Sequence, residues 1–385
     1  MATFTARLSP IRIAMFVLFA VLGVGATLRA QSSAGPVTPP PGQTVQQPPP
    51  GAQVRVRVAL VNTPVTVTDK KGNSVNNLTA ADFRITDNGV DQKISHFDFG
   101  GDPLSVVVLL ETSSRLNSFL PQIRRTGTLF TQAVIGTDGE AAVVGFNDGV
   151  DKLQDFTKDT DAIEKTISKL QTGSAGSRLY DAMSVAVDML SKRPQPAAEN
   201  AGRRRVLFVV SETVDSGSET KLGEVLRHAQ LANVTIYSVG LSTVRADLHS
   251  KPRSQPDRPA PPGINTLPPP PGTIQTPETA NNEAAGADLL GLAIWAVQNV
   301  NHQVKDRAMD VAAAATGGNH LSTFKDRSIE DAIDELGGEL HSQYSISYAP
   351  TSDSTIGYHE IKVQVNRKDV KLRARPGYYI APPGD

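Results

Sequence analysis

The chain has no cysteine among its 385 residues, which excludes disulfides, thiol catalysis and cysteine-held zinc together. It has little net charge: 38 Lys and Arg against 39 Asp and Glu leave −1, so no basic field is present to hold nucleic acid through counterion release. The run Arg203-Arg204-Arg205 is too short to supply one and reads as a solvated face ahead of a strand. Histidine is sparse, 7 in all, and neither a His-Glu-x-x-His pair nor a Gly-x-Ser-x-Gly elbow occurs. After the N-terminal segment, no run is apolar enough to cross a membrane.

What is present is ordinary for a folded protein, with 39% hydrophobic and 20% charged residues, and the length suits one large domain with a small companion. Arg7 and Arg12 precede an apolar run from Ile13 to Gly25, and Leu28-Arg29-Ala30 offers a small residue at a cut before Gln31. These are the parts of a secretory signal over residues 1–30, so the remainder is expected to be exported to periplasm, cell surface or medium, with no transmembrane segment after cleavage. Residues 31–52 are rich in Pro, Gln, Gly and Ser and read as an extended tether.

From residue 53 the pattern changes. Val54, Val56, Val58 and Leu60 alternate with Arg55, Arg57 and Ala59, the period of a half-buried strand, and Val65 and Val67 continue it. Thr79 caps a short helical turn, and segments at Phe83–Ile85 and Lys93–Phe97 flank Asp87-Asn88-Gly89 as a hairpin. This β module, 53–100, is marginal by size, as are the alternating strands of 344–381; burial of their apolar faces predicts that the two flanks pack together.

Between them, 101–343 alternates strands and helices. Leu104–Leu110, Ala141–Phe146, Val206–Val210 and Val234–Val239 are continuous β-branched runs, the mark of strands buried on both faces. With intervening helices they predict a doubly wound, mainly parallel α/β sheet with helices on both faces. The Pro-rich stretch 242–287 reads as a disordered insertion, and Leu289–Val300, holding the lone Trp295, as an extra helix packed on the domain.

In such sheets ligands meet the carboxyl ends of the strands. Those ends read Leu109-Leu110-Glu111-Thr112-Ser113-Ser114-Arg115 and Val210-Ser211-Glu212-Thr213-Val214-Asp215, with Gly176-Ser177-Arg178-Leu179-Tyr180-Asp181-Ala182 between them in sequence. On these segments, on Val239-Gly240-Leu241, and on the flanking motifs Val65–Gly72, Leu78–Phe83 and Leu372–Tyr379, the chain resembles the von Willebrand factor type A family over Val58 to Tyr379. Within that family it is most similar to related proteins of acidobacteria. The resemblance implies a metal-ion-dependent adhesion site for Mg²⁺ or Mn²⁺, with Glu111, Ser113, Ser177 and Glu212 at the ligand positions.

The residues depart from the family pattern. Glu111 and Glu212 stand where Asp is usual, Ser177 where Thr is usual, and Arg115 where a second serine hydroxyl would coordinate. Mg²⁺ demands ligands near ~2.1 Å, so each departure matters, and Arg115 is placed to pair with Glu111 or Glu212 instead of a cation. The expected function is a non-catalytic binding or adhesion module meeting a protein partner through Arg115, Thr213 and Asp215, although Asp215 is equally a turn residue before Gly217. A structural part of an envelope assembly is one alternative. A hydrolase is another; it would need His320 or His341 beside Ser113 or Ser177.

Overall fold

The computed structural model describes residues 60–193, 203–241, 291–298, 307–323, 328–351 and 356–380. The expected signal segment, tether, Pro-rich insertion and the strand start at Val54–Ala59 lie outside them. Among the described residues no helix is long and apolar enough to cross a membrane.

The N-terminal flank forms β1 (Val61–Asp69), β2 (Phe83–Asp87), β3 (Val90–Gln92) and β4 (Ile94–Phe99). Thr79 leads the expected short turn at Ala80–Asp82, its N–H and hydroxyl both donating to the Asp82 carboxylate. The expected hairpin is shorter than its sequence suggests. Asn88 and Gly89 both have positive φ, 47° and 83°, which makes a two-residue turn pairing Asp87 with Val90. The strand returning from the turn is therefore β3, while β4 crosses to another sheet.

The central domain carries β5 (Leu104–Glu111), β6 (Glu140–Phe146), β7 (Val150–Thr157), β8 (Arg204–Ser211), β9 (Val234–Gly240) and β10 (His320–Ser322). They form one six-stranded sheet in the order β10-β9-β8-β5-β6-β7, parallel except for edge strand β7. One face is covered by α1 (Leu120–Arg125) with the π-helical stretch Phe130–Ile135, by α2 (Thr160–Ser168), and by a helix at Ile329–His341. The other is covered by α3 (Leu179–Ser191), α4 (Leu222–Leu231), the helical residues 291–298, and α5 (Ala308–Thr316); Ile329–His341 is α6. Alternate residues of β5 and β8 enter opposite cores, Val107 and Leu207 one, Val108 and Phe208 the other, which is why these strands read as unbroken apolar runs. Trp295 is partly buried against the first of these cores.

The basic run at the start of β8 is not a solvated face. Arg204 and Arg205 are buried, Arg204 donating to the Leu340 carbonyl near the end of α6 and Arg205 to the Ala232 carbonyl after α4. Helix C-termini present carbonyls without intrahelical partners and a partial negative charge, and the guanidinium groups satisfy both.

The C-terminal flank adds β11 (Tyr344–Tyr348), β12 (Gly357–Val365), β13 (Val370–Ala374) and β14 (Gly377–Ile380). The two flanks interleave as two antiparallel four-stranded sheets, β13-β1-β11-β4 and β14-β12-β2-β3. Val65, Val67, Tyr344 and Ile346 of the first sheet pack with Phe83 and Val363 of the second, Phe83 and Tyr344 having ring centroids 5.1 Å apart. At the other end of this small sandwich, buried Asp87 accepts from Tyr378 Oη at 2.7 Å and Tyr348 Oη at 3.0 Å, with His359 Nδ1 at 2.8 Å. Arg375 links the flanks to the central domain, donating to the Asn62 carbonyl at 3.1 Å and to Asn233 Oδ1 at 3.0 Å.

Candidate functional site at the carboxyl end of the sheet

Strands β5 and β8 are neighbours, yet successive connections leave β5 toward opposite edges of the sheet. Their carboxyl ends therefore flank the switch in strand order, where loops splay apart and leave room for a ligand. Three segments meet there. The chain after β5 turns at once: the Leu116 amide donates to the Ser113 carbonyl at 3.0 Å, and Leu116 is anchored in the core. This turn carries Arg115 back over Glu111. The loop before α3 lies against it, with Ser114 N donating to the Ser174 carbonyl at 2.9 Å and Gly173 N to the Thr112 carbonyl at 2.7 Å. The loop after β8 joins through Ser216 N to the Ser177 carbonyl, 2.9 Å, and Ser177 N to Ser216 Oγ, 2.9 Å.

At the centre, Arg115 is the shared donor. Its Nε donates to Glu212 Oε2 at 2.7 Å, its Nη2 to Glu111 Oε1 at 3.0 Å, and its Nη1 to the Ala175 carbonyl at 2.9 Å. Glu111 also accepts from Ser113 Oγ at 2.7 Å and, through Oε2, from the Glu212 amide at 2.8 Å. The carboxylate side chains are 0% and 1% exposed and the guanidinium side chain 15%. Burial pushes the Glu111 carboxyl above its ordinary range, against the pull of Ser113, the Glu212 amide and Arg115.

Sequence alone placed Arg115 beside one carboxylate or the other; it bridges both. Glu111, Ser113, Arg115 and Glu212 are brought together by hydrogen bonds, and Ser177 lies in the adjoining loop, buried, with its Oγ unpartnered. Thr213 stands beside them with φ 63°, a left-handed conformation that a β-branched residue adopts only when its surroundings impose it. Asp215 faces inward as a turn residue, accepting from Ser218 Oγ at 2.6 Å, while Ser218 Oγ receives the Tyr180 amide at the start of α3.

The backbone carbonyl of Ala175 has no signature in side-chain chemistry, and Asn147 was passed over in sequence. Asn147 joins Thr112 Oγ1 at 3.2 Å to Ser174 Oγ at 3.1 Å, and the turn Asn147-Asp148-Gly149 after β6 is the signal that marks it. Beside it a cleft of about 470 Å³ opens, lined by Thr112, Asn147, Asp151, Leu153, Lys169 and Thr172.

Neither histidine considered for catalysis serves the serines. Ser113 is fully buried and donates to Glu111. An added Cβ at Gly136, in the loop entering β6, would touch the His341 ring, so that ring lies at the opposite end of the sheet. His320 packs against Gly240, beside Thr213.

A doubly wound domain whose loops converge on a buried polar centre is the class of protein these elements define. Residues 106–215 match the model of the von Willebrand factor type A domain. Similar solved structures include the conserved hypothetical protein BatB from Bacteroides thetaiotaomicron, at 16% identity over 37% of this chain and 68% of that one, TM-score 0.30. The vWF domain of the type V pili tip protein Mfa5 from Porphyromonas gingivalis is similar at 20% identity over 30% of this chain and 39% of that one, TM-score 0.24. The SpRpn10 VWA domain is similar at 14% identity over 38% and 79%, TM-score 0.30. This chain thus spans less than half of the pilus-tip chain. No curated protein matches.

The family's divalent cation does not fit this set of residues. Both Glu111 oxygens already accept from N–H or O–H donors, and a fixed positive charge bridges the carboxylates such an ion would need. Mg²⁺ beside a guanidinium would meet like-charge repulsion, and the carboxylate oxygens it would need are already engaged.

Proposed function

We propose that the chain is an exported, non-catalytic binding module that meets a protein partner with the loops at the carboxyl end of its sheet. The observation that carries this reading is the centre itself: a buried ionic bridge joins three loops at the switch in strand order, so the surface above it is fixed in shape. Type A domains are generally interaction modules, which favours the same reading. A hydrolase is disfavoured because Ser113 has no exposure and spends its hydroxyl on Glu111. Export rests on Arg7, Arg12 and the apolar run that follows.

The test is cross-linked co-purification with the full chain from its native cells. Ala175 is exposed on the loop rim and Thr137 is exposed at the opposite end of the sheet. A partner held by wild type and by Thr137→Arg should be reduced at least about tenfold by Ala175→Arg, since a buried charge at an interface centre costs more than ~1.4 kcal/mol. Equal capture by all three proteins would remove the loops from the interface. A stoichiometric partner retained through purification would favour an assembly component over an adhesin.

A further inference from the structure

We propose that Arg115 is a built-in cation, which fixes the loops in one arrangement without a divalent ion and closes a latent cation site that its removal reopens. For the partner's sake this rests on the loop-face reading above; for the chemistry of the centre it stands alone.

Three observations converge. First, Arg115 joins the parts that a bound ion would join: a carboxylate at the end of β5, a carboxylate after β8, and a carbonyl of the loop before α3. Second, the guanidinium offsets one of the two buried carboxylate charges and is the cation that bridges them. Two carboxylates with almost no exposure stand against one cation, and without it they would form a buried dianion, the arrangement that recruits a divalent ion. Third, Ser177 is 1% exposed and its Oγ has no hydrogen-bond partner. A planar guanidinium directs its N–H groups in a fixed fork, and here they go to Glu111, Glu212 and Ala175. The hydroxyl left over, in the loop whose Ala175 carbonyl Arg115 holds, is a hard oxygen of the kind an ion would take.

Partner binding by this face should therefore be insensitive to chelators, unlike binding through a bridging metal. The full chain is titrated with MnCl₂ and with MgCl₂ by calorimetry, and its thermal unfolding is compared in excess EDTA and in saturating MnCl₂. Wild type should give no binding heat and a Tm unchanged within about 1 °C, whereas Arg115→Ser should gain about 5 °C or more from Mn²⁺. Arg115→Lys keeps a positive charge in place and should not respond. If Arg115→Ser does not fold in EDTA, refolding by dilution decides: soluble protein should be recovered with Mn²⁺ and not without it.

Stoichiometric binding of Mn²⁺ by wild type, or no cation response of Arg115→Ser in either assay, would overturn the proposal. These outcomes are separable from failure of the loop-face reading. If no partner is lost with Ala175→Arg, that reading fails while the titration still decides the role of Arg115. A partner captured by wild type only in the absence of EDTA would count against Arg115 and leave the docking face intact.

Discussion

Arg115→Ala is expected to destabilise the metal-free protein by about 3–5 kcal/mol, the usual cost of removing one partner from a buried ionic cluster. Two carboxylates would remain with side-chain exposures of 0% and 1%, and the Ala175 carbonyl would lose its donor. Urea unfolding followed by circular dichroism measures the loss, and its pH dependence separates charge from packing. Burial already holds the Glu111 carboxyl above its ordinary value. Between the unfolded and folded values the native state binds more protons, so the Glu111 contribution to stability falls as pH rises through that window. Removing Arg115 takes away one of the influences that lower it. The deficit of the variant should therefore be largest near neutral pH and shrink toward mild acid. The change is about 1.4 kcal/mol for each unit by which the carboxyl is raised further. A deficit constant across pH would mean that Arg115 acts through its methylenes rather than its charge.

Asp87→Ala should cost about as much, roughly 4 kcal/mol, for a different reason. The carboxylate accepts from Tyr348 and Tyr378 and faces His359 Nδ1, all three residues buried. Tyr348 comes from one sheet of the sandwich and the others from the second, so the cluster ties the sheets together. Without Asp87 each group loses its acceptor in the interior, at about 1–3 kcal/mol apiece and less than additively. Tyr378→Phe removes one donor and leaves two, and should cost about 1.5 kcal/mol. Equilibrium unfolding of both single variants and the double variant checks this. The double variant should be less destabilised than the sum of the singles. Strict additivity would mean that the 2.7 Å hydrogen bond contributes nothing. Neither change touches the loop centre, so the response of Arg115→Ser to Mn²⁺ should survive both.

How far these features can be read in sequence follows from where each residue's burial comes from. β5, β8 and β9 are covered on both faces by helices, so their sequences had to be continuous apolar runs, and they were legible as such. β7 was not, because it is an edge strand: Asp151, Lys152, Leu153 and Asp155 are exposed, and its pairing with β6 is irregular. β10 is three residues long, too short for any period to register. The pairing of the two flanks followed from the apolar faces they had to bury, but the Asp87 cluster did not, because its members lie at 87, 348, 359 and 378 with no local pattern. That Glu111, Ser113, Arg115 and Glu212 would lie near one another was legible from their places at the strand ends. That Arg115 would bridge both carboxylates was not, since it depends on the turn between Ser113 and Leu116. The buried Arg204 and Arg205 were misread as solvent-facing, because helix C-termini, which receive them, leave no mark near the arginines themselves.

The most direct measurement is a crystal structure of the wild-type full chain grown in MnCl₂, with data collected at the manganese edge. The account predicts no anomalous peak between Glu111 and Glu212, and Arg115 nitrogens within hydrogen-bonding distance of both carboxylates and of the Ala175 carbonyl. A manganese ion coordinated by Glu111, Ser113 and Glu212, with Arg115 swung out into solvent, would contradict it.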